Sequence, residues 1–208
     1  MPLWNTVDTA SDGARPKYAN TDPHMNVNDV YATSSGWVHN KTYTDMHGNT
    51  RNKEEILVAI RGLAGESPVA NTTLRLGKAN IVDVRFDSAT LAAGAVSNVI
   101  VTFNERVEIV GANVLTLSIG AANTTAAPIA GAANTLNATY VSGSGTNRLR
   151  FNFTADANAA NYTVYTTSIA NTAALALVDV ESTSVAANLD IHSSMTGSNS
   201  AIGTVVAV

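Results

Sequence analysis

Asp45 and His47 stand two residues apart in the run TDMHGN, so on an extended strand both side chains leave the same face, and His39 falls where a hairpin would bring it across. A carboxylate and imidazoles are zinc-type donors. Such a centre also needs a third ligand held rigidly and hydrogen-bond partners that orient each donor. A stretch that ends in Gly48 and Asn49 is turn material and promises neither, so these residues read as polar side chains of a turn, with His24 and His192 isolated elsewhere. Asp83, Asp87, Glu105 and Glu108 would suit calcium if one end of a β-domain gathered them, but they do not follow a D-x-D-x-D spacing. Glu54 and Glu55 are adjacent, and neighbouring side chains diverge on a strand, so they do not form an acid/base pair. Ser, His and Asp are all available, yet no G-x-S-x-G elbow presents a nucleophile. Cysteine is absent, which removes thiolate nucleophiles, thiolate metal sites and disulfides together. The expectation is a protein that is not an enzyme and needs no cofactor and no metal.

Two further clusters invite a binding role. SGSGTN, residues 142–147, has the glycines of a phosphate-gripping loop, but such a loop needs a helix after it, and here the alternating run RLRFNF follows. It reads as the bend between two strands, with Gly143 and Gly145 supplying positive φ. Arg85, Arg106, Arg148 and Arg150 would form a basic stripe on one outer face, and a solvated strand face is the expected role.

The elements that must position these residues are strands. IVDVRFD sets Val82, Val84 and Phe86 on one side; NVIVTF sets Val99, Val101 and Phe103; RVEIV pairs Val107 with Ile109. NVLTLSIG aligns Leu115, Leu117 and Ile119, LNATY aligns Leu136, Ala138 and Tyr140, and RLRFNF aligns Leu149, Phe151 and Phe153. Period-two alternation repeated between Gly, Asn and Ser clusters predicts an antiparallel β-sandwich over residues 78–208. Upstream, WVHNKTYT and KEEILVAIRGL around MHGN predict a β-hairpin over about residues 36–62, with a short helix opening at Glu54-Glu55 as the alternative. Residues 63–77 read as a linker with room for one short strand.

Residues 1–36 carry Leu3, Trp4, Val7, Tyr18, Met25, Val27, Val30 and Tyr31 among polar residues with neither a helical nor a strand period. Ordering about 30 residues at about 1 kcal/mol each needs on the order of 1,200 Å² of apolar burial. The segment's own side chains are too few for that, so residues 1–77 are expected to be an extended anchoring arm with the hairpin and linker, docked on a partner. Leu3, Trp4, Tyr18, Tyr31, Trp37 and Tyr43 are its candidate partner-binding side chains.

The 208 residues carry only 13% charged side chains and a net charge of -4, which gives no bulk pull toward nucleic acid or an anionic membrane. No run approaches the roughly 18 apolar residues of a spanning helix, and the leading residues lack the basic-then-apolar order of a secretory signal. Folding in a cytoplasm is expected.

The runs VTFNERVEIVGANVLTLSIG and ATYVSGSGTNRLRFNFT resemble the bacterial immunoglobulin-like repeats of large surface adhesins, over roughly residues 80–191. That resemblance implies an immunoglobulin-like sandwich without a disulfide, from which the Ala/Asn/Thr-rich insertion at 121–135 departs. The opening PLW, then GWV, then TYTDMHGNTRNKEEILVAI resemble virion structural proteins of tailed bacteriophages, particularly the T4-like phages of marine cyanobacteria, over about residues 1–63. What this implies is a virion component assembled in the host cytoplasm, at head, neck or tail; with an anchoring arm and an outward sandwich, the expectation is a head decoration protein whose partner is the major capsid protein or another virion subunit. Self-association is a further expected contact. The alternative is a module that binds a host-surface glycan through the loops at 121–135 or 142–147.

Overall fold

Alternating apolar and polar residues become strands in the computed structural model, and the described residues contain no α-helix. The structure describes residues 16, 19, 22, 24–60, 62–63, 78–88, 90–92, 94–112, 114–123, 135–155, 159–164, 168–173, 176–191 and 205–207. A 3-10 turn, Val27–Asp29, is opened by Asn26, whose side chain accepts the backbone N–H of Asn28. It leads into β1 (Val30–Thr33), which turns through Ser34 and Ser35 into β2 (Gly36–Thr44), and β2 returns as β3 (Thr50–Ala59). This is the expected hairpin. The alternative, a short helix opening at Glu54-Glu55, gives way to strand, because residues 50–59 pair along β2.

The second part runs through β4 (Ile81–Phe86), β5 (Thr90–Leu91), β6 (Val96–Ile109), β7 (Leu115–Asn123), β8 (Thr135–Ser142), β9 (Thr146–Thr154) and β10 (Ala159–Val164). Four short strands follow: β11 (Ala170–Asn171), β12 (Leu177–Asp179), β13 (Ser182–Ala186) and β14 (Val205–Ala207). The hydrogen-bonded path is β3-β2-β1-β6-β9-β8-β7-β10-β14-β5, with β4 and β12 also on β6. Pairs are antiparallel except β1 with β6 and β14 with β5. The sheet is therefore mixed.

The path rolls over one core. Phe153 on β9 and Tyr162 on β10 are three strands apart, a separation of about 14 Å in a flat sheet at about 4.8 Å per strand, yet their ring centroids lie 5.3 Å apart. Phe86 on β4 meets the same Phe153 edge-on at 6.0 Å. Val99, Val101, Phe103, Leu115, Leu117, Ile119, Leu149 and Phe151 are all fully buried in that core, as their alternation predicts. A β-sandwich class fold follows. The expected trio of Val82, Val84 and Phe86 is corrected in one place: the register shifts between Ile81 and Asp83, so Ile81 takes the core position, Val82 is only half-buried, and Asp83 is buried.

The 142–147 stretch is the bend between β8 and β9. Gly143 has φ 114, and a Cβ there would run into the carbonyl oxygen of Arg148, so no other residue fits. Several of the loop's polar groups are spent within the chain: the Gly145 N–H donates to the Val107 carbonyl at 2.8 Å, Ser144 Oγ accepts from the Ile109 N–H at 3.0 Å, and the Ser144 N–H donates to the Tyr140 hydroxyl at 3.0 Å. The bend thus fastens β8 and β9 to the end of β6. Gly143→Ala should lower the unfolding free energy by about 2–3 kcal/mol in urea titration, and an unchanged midpoint would contradict this geometry.

Candidate docking surface

Charge is sparse in this chain, and much of it converges where the hairpin meets the sandwich. Arg148, at the start of β9, donates to the Asn28 carbonyl at 2.9 Å and forms an ion pair with Asp29, fixing the 3-10 turn. Asn28 Nδ2 in turn donates to Asp83 Oδ2 at 3.2 Å, and Arg85 Nε lies 3.8 Å from the same oxygen. Arg106, on β6, sits 3.5 Å from Glu54 of β3 and stacks over the Tyr31 ring at 5.8 Å from its centroid. The Tyr31 hydroxyl donates to Glu54 at 2.6 Å. Three of the four arginines expected to form a solvated stripe are therefore occupied by carboxylates. They are the receiving side of an internal seam.

Burial raises the Asp83 pKa above its ordinary value of about 3.8, and the nearby Arg85 and Arg148 guanidinium groups oppose that shift. Burial, then the hydrogen bond to Glu54, also raises the Tyr31 hydroxyl pKa. The seam has its own small core beneath it, in which Ala19, Val30, Ala32, Trp37 and Leu63 are buried and Met25, Leu57, Val58 and Ile60 pack against them. The apolar side chains at the hairpin's base accordingly find their burial within the chain. The expectation that this stretch must find a partner surface is corrected to that extent.

Past this base the hairpin projects as a bare ribbon. In β2 the first four residues are buried and Lys41 to Thr44 are exposed; in β3 every residue from Thr50 to Ile56 is exposed. Asp45 holds the tip: its Oδ1 accepts the N–H groups of His47 and Asn49, each at 2.9 Å, and its Oδ2 accepts Arg51 Nε at 3.1 Å. The Asn49 backbone N–H leads in keeping the Asp45 carboxyl pKa below its usual value. The carboxylate that raised the question of a metal is thus the clamp of a turn, and His39 is buried at the ribbon's base opposite Glu55. Among the described residues no three His, Asp or Glu side chains gather as metal ligands. Met46 at the tip is 94% exposed, and Tyr43 and Ile56 on the ribbon are also largely exposed.

Of the six candidate anchors, Leu3, Trp4 and Tyr18 lie outside the described residues. Trp37 is fully buried in the small core and Tyr31 is buried in the seam, so both are intramolecular anchors and are corrected as docking side chains. Tyr43 remains open to a partner. Sequence reasoning passed over Met46 and Ile56, whose signal was available: apolar residues in a hairpin whose other outward residues are charged. The glycan-binding loop proposed at 142–147 has its polar groups engaged as described, and most of 121–135 lies outside the described residues.

Fold and surface together define a mainly β protein of the sandwich class that carries a projecting, two-sided ribbon. Its resemblances rest on the quoted motifs alone, since no family model, curated protein or solved structure matches the chain.

Two measurements test the seam. Arg148→Met removes the charge while keeping the stem, and should speed amide exchange in Val30–Thr33 by at least about tenfold while leaving Leu115 to Ile119 unaffected; uniform protection would mean the seam does not hold β1. Asp83 has a folded pKa above its unfolded one, so its contribution to stability is full below the unfolded value of about 3.8 and is lost as pH rises through the folded value. Asp83→Asn should therefore be more favourable, relative to the parent, at about pH 7 than at about pH 3, as read by urea unfolding at both.

Proposed function

We propose that this chain is a non-enzymatic structural protein of a phage virion, a capsid decoration protein that docks on the major capsid protein or a neighbouring virion subunit through its N-terminal region and holds the sandwich outward. The observation that carries the docking half is the ribbon. Two strands exposed on both faces gain little from their own side chains, and isolated two-stranded ribbons are marginal in water. A fold that clamps such a ribbon with an Asp45 turn and leaves Tyr43 and Met46 on it has a recognition element.

The virion half is supported by the resemblance. The motif TYTDMHGNTRNKEEILVAI, residues 42–60, is the ribbon and its return strand. The side chains that carry the likeness are thus largely the ones the fold leaves exposed. Leu3, Trp4 and Tyr18 would add contacts from the leading segment.

Co-sedimentation with capsids assembled from the major capsid protein of the same phage tests the reading. Tyr43→Ala combined with Met46→Asp should weaken binding by at least about tenfold, since exposed aromatic and Met anchors are what such interfaces use, while the unfolding midpoint stays put. Undiminished binding by the double variant would overturn docking through the ribbon.

A further inference from the structure

Among the described residues the outer edge of β3 is unpaired: β2 pairs along one side of it, and no described strand pairs along the other. An exposed edge with unpaired backbone groups is a template for a further strand. We propose that residues 52–56 of β3 pair antiparallel with the same residues of a second copy of this chain, about a two-fold axis at Glu54. The inference goes beyond the virion reading and does not depend on it.

Charge selects the partner and the register. On the ribbon face away from Glu54, β2 sets Lys41 directly opposite Lys53, His39 opposite Glu55 and Tyr43 opposite Arg51. Two lysines directly across a strand pair repel, so Lys53 lacks a carboxylate on its β2 side. Backbone groups point to the outer edge at every second residue, so a two-fold pairing must match residues of like parity, and its axis must pass through a residue. An axis at Asn52 sets Arg51 against Lys53. At Lys53 it lines up Lys41, Lys53, Lys53 and Lys41 across four strands. At Glu55 it sets two glutamates against each other.

Only the axis at Glu54 places Lys53 opposite Glu55 of the second copy, and does so twice, giving the row Lys41, Lys53, Glu55, His39 in each direction. This axis also sets Glu54 opposite Glu54 of the second copy, on the other face, and there each carboxylate is offset by Arg106 and the Tyr31 hydroxyl of its own chain. Lysines on an edge strand ordinarily guard it against pairing. Here the order of signs is self-complementary in one antiparallel register, which admits a copy of the same chain while disfavouring the neighbouring registers. The Ile56 side chains, 58% exposed, would then be covered opposite Asn52.

Sedimentation equilibrium of the full chain from about 10 µM to about 1 mM tests this, because a short edge-to-edge contact gives a weak, reversible dimer. The parent should dimerise. Lys53→Glu and Glu55→Lys should each weaken the dimer by at least about tenfold by setting like charges opposite each other. Mixing the two single variants should restore dimer as a heterodimer, and the Lys53→Glu/Glu55→Lys double variant should restore the homodimer. Those two rescues exclude simple misfolding. A parent that stays monomeric throughout, single variants that dimerise like the parent, or a failure of both rescues would each overturn the proposal.

Discussion

Everything in this fold depends on how β6 is satisfied. The strand is 14 residues long and almost continuously buried from Ser97 to Val107, so its backbone groups cannot turn to water and must all find protein partners. No single neighbour spans it. β4 covers Val99 to Phe103 and β12 covers Val107 to Ile109. Between them, at Asn104, Glu105 and Arg106, the chain improvises. The Asn104 N–H donates to the Asn80 carbonyl at 2.9 Å while its side chain accepts the Asn80 N–H at 2.7 Å, and the Arg106 carbonyl accepts from Val180. β1 enters beside the same stretch, with Ala32 opposite Glu105. On the β9 side the register also breaks here, between Thr102 and Val107. The hairpin is therefore attached where the sandwich's longest strand changes partners, and Arg106 leaves that junction to meet Glu54. The two parts have separate apolar cores but a shared backbone ladder and a shared set of ions.

That attachment explains why the hairpin divides so sharply into a buried base and a bare ribbon. Up to about Asn40 the strands have the small core on one side and the seam beneath them; beyond it they outrun both. Regular pairing nonetheless continues to the Thr44 and Thr50 pair. A ribbon in that position has lost the hydrophobic reason for being ordered and keeps only ladder hydrogen bonds, cross-strand contacts and the Asp45 turn. Selection for stability alone would shorten it. That length is what the proposed docking role would use.

The sequence made the sandwich legible because its faces differ in polarity at every second residue, and that pattern survives wherever the register is regular. It misled at bulges. Val82 looked like core until the slip at Ile81 to Asp83 turned the strand, and the slip at Trp37 to Val38 shifts the hairpin's pairing with β3. Trp37 and Tyr31 illustrate a second limit: a large aromatic residue in a polar neighbourhood looks like an interface anchor, and only three-dimensional placement reveals that Leu63 and Val30, distant or unremarkable in sequence, supply its pocket. The arginines were hidden for the same reason. Asp29 lies 119 residues from Arg148, and no local pattern announces such a pair. By contrast, the glycine-rich bend at 142–147 was readable because strands flank it on both sides, and that local context excludes a phosphate loop.

Charge distribution bears on how ribbon and assembly fit together. In a chain only 13% charged, Lys41, Asp45, Arg51, Lys53, Glu54 and Glu55 all fall on the ribbon. A purely apolar edge would pair with any strand it met; an edge with ordered signs pairs selectively. In an antiparallel pairing centred on Glu54 the two tips point in opposite directions. Each lies about seven residues, or roughly 24 Å, from the axis, so the Met46 side chains of a pair would stand roughly 45–50 Å apart. Such a dimer cannot press both tips into one pocket. On the proposed capsid docking it would span two neighbouring subunits of a lattice with one tip on each, and two weak contacts joined in that way would bind far more tightly than either alone, provided the lattice spacing matches. The stiffness supplied by the Asp45 clamp then serves the spacing, because a floppy tip would spread its reach over many distances and lose the advantage of matching one.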